Sequence, residues 1–384
     1  MFYVKRTFHP VGQGAFFTEQ FFDAHLGKVL YNVVYDCGST SPGINTQMER
    51  EIKNCFHERK KIDVLFLSHF DDDHVNYVQY LKNEGYLQGT RIFIPMLAAE
   101  EWLGIEPYVK NHETVLSLND YTPGGTKVIQ VEFDGGMNEN DYRNDPRPIE
   151  EIEGGTTISS GIPLTPRKAL QGVFWCYTPF NVQFAELIKK FKDKLQDEKL
   201  DYNRLKEEDY VLANKSKLKT VYQSLGKKPT GGTAINLNSL LVMSYPMNPD
   251  AGCDYMGWRG CHYPWLPYRP YNRTDYFGSC LYTGDTSAND STVWSRIEQM
   301  GRICFGNDRS IQLFQIPHHG SKHSYDQKLI DSSIFNCGFT NFDPYYSQHI
   351  FDEDLPMKLA IKDKALITVT RDYASLFEVY WNIS

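Results

Sequence analysis

The chain has no CxxC pair, no apolar run long enough to cross a bilayer, no low-complexity tract and no internal repeat. Each absence removes a class of explanation. Without paired motifs, the eight cysteines at Cys37, Cys55, Cys176, Cys253, Cys261, Cys280, Cys304 and Cys337 read as reduced, mostly buried thiols rather than as a disulfide framework. The opening MFYVKRTFHPVGQG contains no uninterrupted apolar stretch of the kind a secretory signal needs. No window reaches the length of a membrane span either, so a cytoplasmic protein with no membrane partner is expected. Positive charge is also short. A formal net charge of -8 and a pI near 5.8 leave no broad electrostatic footprint for nucleic acid, although a local basic groove can exist on an acidic protein. What remains is 384 residues, 41% hydrophobic, enough to bury one large core or two smaller ones. One domain over residues 1–384 is expected.

Apolar segments rich in β-branched and aromatic residues open the chain: FYVKRTF, GAFFTEQFF and KVLYNVVYDCGS, read as an antiparallel meander. Gly12 and Gly14 in VGQG sit where a turn or a close backbone approach needs residues without a Cβ. A helix is expected near Gln47 to Arg59, then a buried strand in IDVLFLS and a helix in HVNYVQYLKNEG that stops at Gly85. TRIFIPM and TKVIQVEF read as further strands, AAEEWLG as a helix, and GVFWCYTP as a strand leaving the core. From about 185 to 228 almost half of the residues are charged, which predicts an inserted helical segment with solvated faces. Its lysines could meet phosphates or a protein partner, but interleaved acids favour simple solvation. The core pattern resumes in AINLNSLLVMSY, SCLYTGDTS, IQLFQIPHHGS, ALITVTRD and LFEVYWN. Strands followed by helices, twice over, point to an α/β sandwich. A long loop at about 251–277 carries eight aromatics and three arginines between Asp254 and Phe277. That composition suits either stacking on single-stranded nucleic acid or a proline-stiffened cover over apolar surface.

The chemistry concentrates in FLSHFDDDHVNYV, Phe66 to Val78. His69, Asp71, Asp73 and His74 fall within six residues at the end of a buried strand, where a loop can converge side chains on an ion. Hard carboxylate and borderline imidazole donors suit zinc, manganese or iron. Aspartates at a helix start can also simply cap it, but capping does not call for the flanking histidines.

These residues resemble the first metal motif, HxHxDH, of the metallo-β-lactamase fold hydrolases. Here Asp71 replaces the second histidine, giving the HxDxDH pattern of the nuclease-like domain of the ComEC competence proteins. Further elements follow in the order seen in that group: VGQGA at Val11 to Ala15, VYDCGS at Val34 to Ser39, NLNSLLVM, LYTGD ending at Asp285, and IPHHGSKHS from Ile316. The resemblance covers most of the chain except about 85–235. It implies a metallo-β-lactamase-type αββα sandwich carrying the charged helical insertion.

By position, the resemblance implies one or two divalent ions, zinc or manganese by preference and magnesium as an alternative. His69 and Asp71 would serve one ion, Asp73, His74 and one histidine of the HHG turn the other, and Asp285 would bridge them. His319 is favoured as the ligand and His318 for substrate contact or proton transfer, since adjacent side chains at a strand end rarely point to one place. Only His112 and His262 are candidates for the family's intermediate histidine, and neither has a matching context. Asn238, Ser239, Ser321, Lys322, His323 and His349 are candidate substrate contacts. The activity implied is hydrolysis by a metal-activated hydroxide, Asp73 and Asp285 positioning it, most simply on a phosphodiester of DNA or RNA. Hydrolysis of another ester, lactone, amide or small nucleotide, or a non-enzymatic interaction role on the same fold, are the alternatives.

Overall fold

The computed structural model describes residues 2–96, 106–132, 146–166, 170, 175–182, 185–204, 210, 213–224, 239–247, 253–260, 278–305, 310–346 and 351–383. In chain order its strands begin with β1 Phe2–Phe8, β2 Gly14–Asp23, β3 Lys28–Ser39, β4 Val64–Phe66, β5 Arg91–Pro95 and β6 Lys127–Val131. The short β7 Arg147–Pro148, β8 Thr157–Ile158 and β9 Leu164–Thr165 follow, then β10 Trp175–Phe180, β11 Leu241–Pro246 and β12 Cys253–Gly260. The last five are β13 Cys280–Tyr282, β14 Ile311–Gln315, β15 Phe335–Asn341, β16 Ala365–Val369 and β17 Phe377–Ile383. They form two mixed sheets, one ordered β12-β17-β1-β2-β3-β4-β5-β6-β8 and the other β16-β15-β14-β13-β11-β10-β9-β7.

Three apolar clusters define four layers. The first fills the space between the sheets with Phe8, Phe17, Phe21, Tyr35, Trp175, Tyr282, Phe339 and Trp381. A second packs the helix α1 Asn45–Cys55 and the short helices α2 Asp72–Val75 and α3 Val78–Asn83 onto the outer face of the first sheet, through Met48, Ile52, Val75 and Leu81. The helix α4 Glu106–Leu116 closes the same side through Val115. In the charged region lie α5 Ala185–Asp197 and α6 Lys215–Ser224, which pack on each other. A third cluster packs α7 Ser291–Phe305, α8 Gln327–Asp331 and α9 Leu355–Ala360 onto the outer face of the second sheet, through Ile297, Leu329 and Leu355. The result is the αββα sandwich expected. No helix among the described residues is long and apolar enough to cross a membrane.

The chain departs from the expected elements in several places. The helix expected over HVNYVQYLKNEG is broken between Val75 and Val78, because Asn76 exchanges two hydrogen bonds with the Ser39 backbone and the Tyr77 amide donates to Cys37 O. Tertiary pairing to β3 takes the groups a continuous helix needs. GVFWCYTP does not leave the core: β10 is buried at every residue and pairs with both β9 and β11. The expected loop at 251–277 begins instead as the edge strand β12, paired antiparallel with β17 across a bulge at Tyr255/Gly257. Residues 261–277 of that loop, and the AAEEWLG segment up to 104, lie outside the described residues.

Among the described residues, a polar node crosses the largely apolar space between the sheets. Glu19 on β2 is 2% exposed and accepts from Arg6 Nε at 2.8 Å, Tyr282 OH at 2.9 Å, Tyr177 OH at 2.7 Å and Ser244 Oγ at 2.8 Å. Both carboxylate oxygens are thereby satisfied twice over, which a buried charge requires. Arg6 lies over the Trp381 ring at 4.8 Å and donates to Gly278 O at 3.3 Å. Burial opposes its charge, and Glu19 outweighs burial, so its pKa is raised. The node ties β1 and β2 of one sheet to β10, β11 and β13 of the other. Replacing Arg6→Met strands the Glu19 charge and is expected to cost about 3–5 kcal/mol in urea unfolding, part of it recovered in the Arg6→Met/Glu19→Gln double variant. A single variant as stable as the parent would contradict this reading.

Candidate metal centre

β4 of the first sheet and β13 and β14 of the second all end at one edge of the sandwich, where a βα loop can hold a ligand beyond the strand carboxyl ends. The loop after β4 carries His69, Asp71, Asp73 and His74; Asp285 follows β13; His318 and His319 follow β14. Close packing of backbone makes the convergence feasible. A Cβ on Gly38 would sit 2.5 Å from Asp73 C and His74 N, so β3 touches the ligand loop only because that side chain is absent.

Asp285, 3% exposed, stands at the middle of the cluster. Its Oδ1 lies 3.2 Å from His74 Nε2 and 3.8 Å from His319 Nε2, and its Oδ2 lies 3.9 Å from His69 Nε2 and 3.7 Å from His318 Nε2. Asp71 Oδ2 is 3.5 Å from His69 Nε2, and Asp73 Oδ2 is 3.1 Å from His319 Nε2. His69, His74 and Asp285 form one group with metal-ligand spacing, and Asp73, His74 and His319 form another. Adjacent His318 and His319 both reach Asp285 because their backbones are left-handed, with φ of 50° and 56°, ahead of Gly320 at 74°. That coil turns neighbouring side chains toward one point, which an extended strand end would not do.

The opposite edges of the rings fix what these Nε2 atoms are. His74 Nδ1 faces Asp36 Oδ2 at 2.8 Å, and His319 Nδ1 faces the Asn341 carbonyl at 2.9 Å. Carboxylate and carbonyl oxygens only accept, so both Nδ1 atoms carry hydrogen. Ser68 Oγ spends its proton on Asp36 Oδ2 at 2.7 Å and therefore accepts from His69 Nδ1 at 2.8 Å. In their neutral forms all three imidazoles thus aim an Nε2 lone pair at carboxylate oxygens. His69 Nε2, His74 Nε2 and Asp285 Oδ1 are buried and make no hydrogen bond. Lone pair against lone pair in a buried site demands a proton or a cation between them.

The charge balance says the same. Burial disfavours a charged His74, but Asp285, Asp36 and Asp73 outweigh it and hold its pKa well above the ordinary imidazole value. Burial likewise opposes charge on His319, and Asp285 and Asp73 raise its pKa. Asp285, which burial alone would push up, is held well below the usual carboxylate range by His74, His319 and His318. Protons on the imidazoles balance the carboxylates, and a divalent ion at the same place would displace them. Three imidazole nitrogens and carboxylate oxygens in this arrangement fit such an ion.

Asp36, on β3, is the residue that sequence reasoning left without a role. It accepts from the Ser68 amide at 2.7 Å, from Ser68 Oγ and from His74 Nδ1, fully buried and with φ of 56°. Its signal was present as the acid closing a strand in VYDCGS. Asn111 on α4 also serves the loop, donating to Phe70 O at 2.9 Å and Asp72 Oδ1 at 2.8 Å.

The remaining candidates separate by position. Ser239 is buried beside Gly284, and Ser321 is buried at the end of the HHG turn, bridged to Phe351. Lys322 and His323 are exposed on the turn beyond. Asn238, His262 and His349 lie outside the described residues. His112 packs edge-on against Phe70, ring centroids 4.7 Å apart, as a core imidazole on α4.

Neither a protein-family model nor a curated protein sequence matches the chain. Among solved structures it is similar to the metallo-beta-lactamase fold protein YhfI from Bacillus subtilis, at 10% identity over 98% of this chain and 99% of that one, with a TM-score of 0.40. Unliganded yeast PDE1 matches at 9% identity over 99% and 100% of the two chains, with a TM-score of 0.38. The metallo-β-lactamase MIM-1 from Novosphingobium pentaromativorans matches at 11% identity over 86% and 82%, with a TM-score of 0.31. Similarity at this level identifies no function.

Two measurements follow from the geometry. Asp36→Asn keeps the size and the left-handed backbone but removes an acceptor from His74, so divalent-metal affinity is expected to fall about 10–100-fold in competition with a chromogenic chelator; equal affinity would reject the positioning role. Burial pushes His112 down to about 4 from 6.5, so the unfolded chain takes up that proton first as pH falls. The stability it contributes is complete above about pH 6.5 and is lost down to about pH 4, on the order of 3 kcal/mol. His112→Phe should flatten the decline of the urea midpoint over that window, and parallel declines would refute it.

Proposed function

We propose that the protein is a metal-dependent hydrolase of phosphodiesters. The observation that carries this reading is the set of Nε2 lone pairs turned by Asp36, Ser68 and Asn341 onto the carboxylates of Asp71, Asp73 and Asp285. His69 and Asp285, with Asp71 3.5 Å from His69, would hold one divalent ion, and Asp73, His74 and His319 together with Asp285 a second. When bound, such ions supply Lewis acidity toward phosphoryl oxygens and lower the pKa of water. Carboxylate at Asp71, where related motifs carry histidine, adds hard oxygen and tilts the preference toward Mn²⁺ or Mg²⁺ relative to an all-histidine site.

The chain's own groups then divide the work. Asp285 and Asp73 orient the attacking oxygen between them. His318 is 22% exposed, whereas His69, His74 and His319 are at most 4%, which supports it as the imidazole that meets substrate and passes a proton to the leaving oxygen. Its Nδ1 is positioned by Ser324 Oγ at 2.9 Å. The HxDxDH and HHGS pair resembles ComEC-type nucleases and phosphodiesterases more than lactamases, which favours DNA or RNA over the other ester, lactone or amide substrates.

Incubation of purified protein with Mn²⁺, Zn²⁺ or Mg²⁺ should hydrolyse bis-p-nitrophenyl phosphate or a nucleic-acid phosphodiester. Turnover is expected to fall at least 10²-fold in Asp73→Ala and Asp285→Ala, as in the loss of other electrostatic centres. Absence of turnover on single-stranded DNA, duplex DNA, RNA, cyclic dinucleotides and the chromogenic diester alike, in metal-loaded protein, would refute the reading.

A further inference from the structure

Beside the metal centre lie four side chains that the hydrolytic chemistry does not use, three on the loops after β15 and β16 and one, Arg50, on α1. β15 and β16 are parallel to β14, so all three deliver their carboxyl ends to the edge that holds the HHG turn. Asn341, whose carbonyl holds His319, closes β15; Tyr345 follows four residues later, and Arg371 and Tyr373 follow β16. Two strand spacings separate β14 from β16, about 10 Å in all. Arg371 Cβ lies 3.2 Å from where a Cβ on Gly12 would stand, against the VGQG turn. A Cβ on Gly14 of that turn would meet Asp73 O at 2.8 Å, so the buried VGQG turn packs between the Arg371 segment and the ligand loop.

The side chains alternate cation and ring. The Arg371 guanidinium lies 4.7 Å from the Tyr345 ring and the Arg50 guanidinium 5.6 Å from the Tyr373 ring. Gln47 Nε2 joins the two pairs by donating to Arg371 O at 2.7 Å and Pro10 O at 2.6 Å, fastening α1 to the loop after β16. Arg371 is held from behind by buried Asp343, Nε to Oδ1 at 3.8 Å, and donates to Pro42 O at 3.3 Å. Tyr345 is 75% exposed and Tyr373 53%, each ring covered on one side by its arginine. Arg50 Nε lies 4.0 Å from buried Glu51 Oε1, as Arg371 does near Asp343, while the exposed acids nearby have other partners: Asp372 caps the Ala374 amide and Glu49 pairs with Lys53. On a chain of net charge -8, a local strip of guanidinium and open aromatic faces selects a ligand that is both anionic and planar.

We propose that the Arg371–Tyr345 and Arg50–Tyr373 pairs form a track for a single-stranded polynucleotide, phosphates on the guanidiniums and bases on the tyrosines, leading to the Asp285 centre. This rests on the phosphodiester reading and narrows its substrate from any diester to a polymer. Stacking is sequence-tolerant because every base has a π-face, and the backbone contacts are electrostatic, so little base preference and a strong salt dependence are expected. A diester too small to span the distance from the cluster to β16 gains nothing from the strip.

The test separates the track from the chemistry. Fluorescence anisotropy with labelled oligothymidylate and oligouridylate 12-mers is measured in EDTA for the parent, Tyr345→Ala/Tyr373→Ala and Arg50→Gln. The tyrosine pair is exposed, so its loss leaves the fold intact. Binding of at least one oligomer is expected to weaken about tenfold or more in the tyrosine variant. In Arg50→Gln the salt slope should fall by about 0.7. Turnover of bis-p-nitrophenyl phosphate should stay within about twofold of the parent in both. Oligomer binding that is absent in the parent, or equal in all three proteins, overturns the track even where the small diester is hydrolysed. Binding that depends on these side chains, with no diester hydrolysed by metal-loaded parent, overturns the hydrolase reading and upholds the track.

Discussion

Three imidazoles whose protons are already committed elsewhere must face carboxylates in a dry site, and much of the molecule exists to impose that arrangement. His74 gives its Nδ1 hydrogen to Asp36, His69 to Ser68, and His319 to the Asn341 carbonyl. Each of those acceptors is fixed in turn: Asp36 by two bonds from Ser68, and Asn341 by its place at the end of β15 and by its own donation to His9 O. A buried lone pair facing a buried carboxylate is expensive in isolation, so the cluster is stable only with cations or protons inside it. The polarity of the site therefore precedes any particular ion, because it is written into the second partners of the rings.

The two halves of the cluster come from different sheets, which makes the register between sheets part of the chemistry. His69, Asp71, Asp73 and His74 hang from β4, while Asp285, His318 and His319 hang from β13 and β14. Aromatic packing alone could let one sheet slide over the other by a fraction of a side chain. The Glu19 node is directional: Arg6 from β1, Tyr177 from β10, Ser244 from β11 and Tyr282 from β13 all converge on two oxygens. Tyr35 OH to Leu240 O at 2.7 Å and the Leu240 amide to Ser68 O at 2.7 Å continue the seam up to the ligand loop. Hydrogen bonds of this kind add little net stability each but discriminate strongly between alignments, since any slip leaves a buried charge unsatisfied.

How much of this was legible in the sequence depends on whether a feature is local. The β-branched and aromatic content of FYVKRTF, GAFFTEQFF and KVLYNVVYDCGS specifies β1 to β3 nearly to the residue, because such side chains suit strands that are buried over most of their length. Spacing likewise gathers His69, Asp71, Asp73 and His74 into one group. Asp36 escaped because a lone acid at a strand end has no pattern of its own; its meaning lies in Ser68 and His74, more than thirty residues away. The break at Asn76 escaped for the same reason, since helix periodicity continues through it while the side chain bonds to Ser39. FNCGFTN, which became β15, has too few branched side chains to announce a strand, yet it is held between β14 and β16 by parallel pairing. The left-handed backbone at His318 and His319 was beyond reach, because histidine rarely adopts it unless the surroundings require it.

That last point bears on why the HHG turn has its composition. A coil of three successive left-handed residues would form most easily with three glycines, yet only Gly320 is one. A Cβ there would meet the Phe351 ring at 2.8 Å, so glycine is needed for space as well as for φ. At 318 and 319 the side chain is worth the backbone strain, and the strain is held by Ser321 N to His318 O at 2.9 Å and His318 N to Gly284 O at 3.2 Å. The second of these bonds joins the turn to the residue just before Asp285. That bond ties the backbone carrying His318 and His319 to the backbone carrying Asp285, so the two ligand segments of the second sheet are held as one unit.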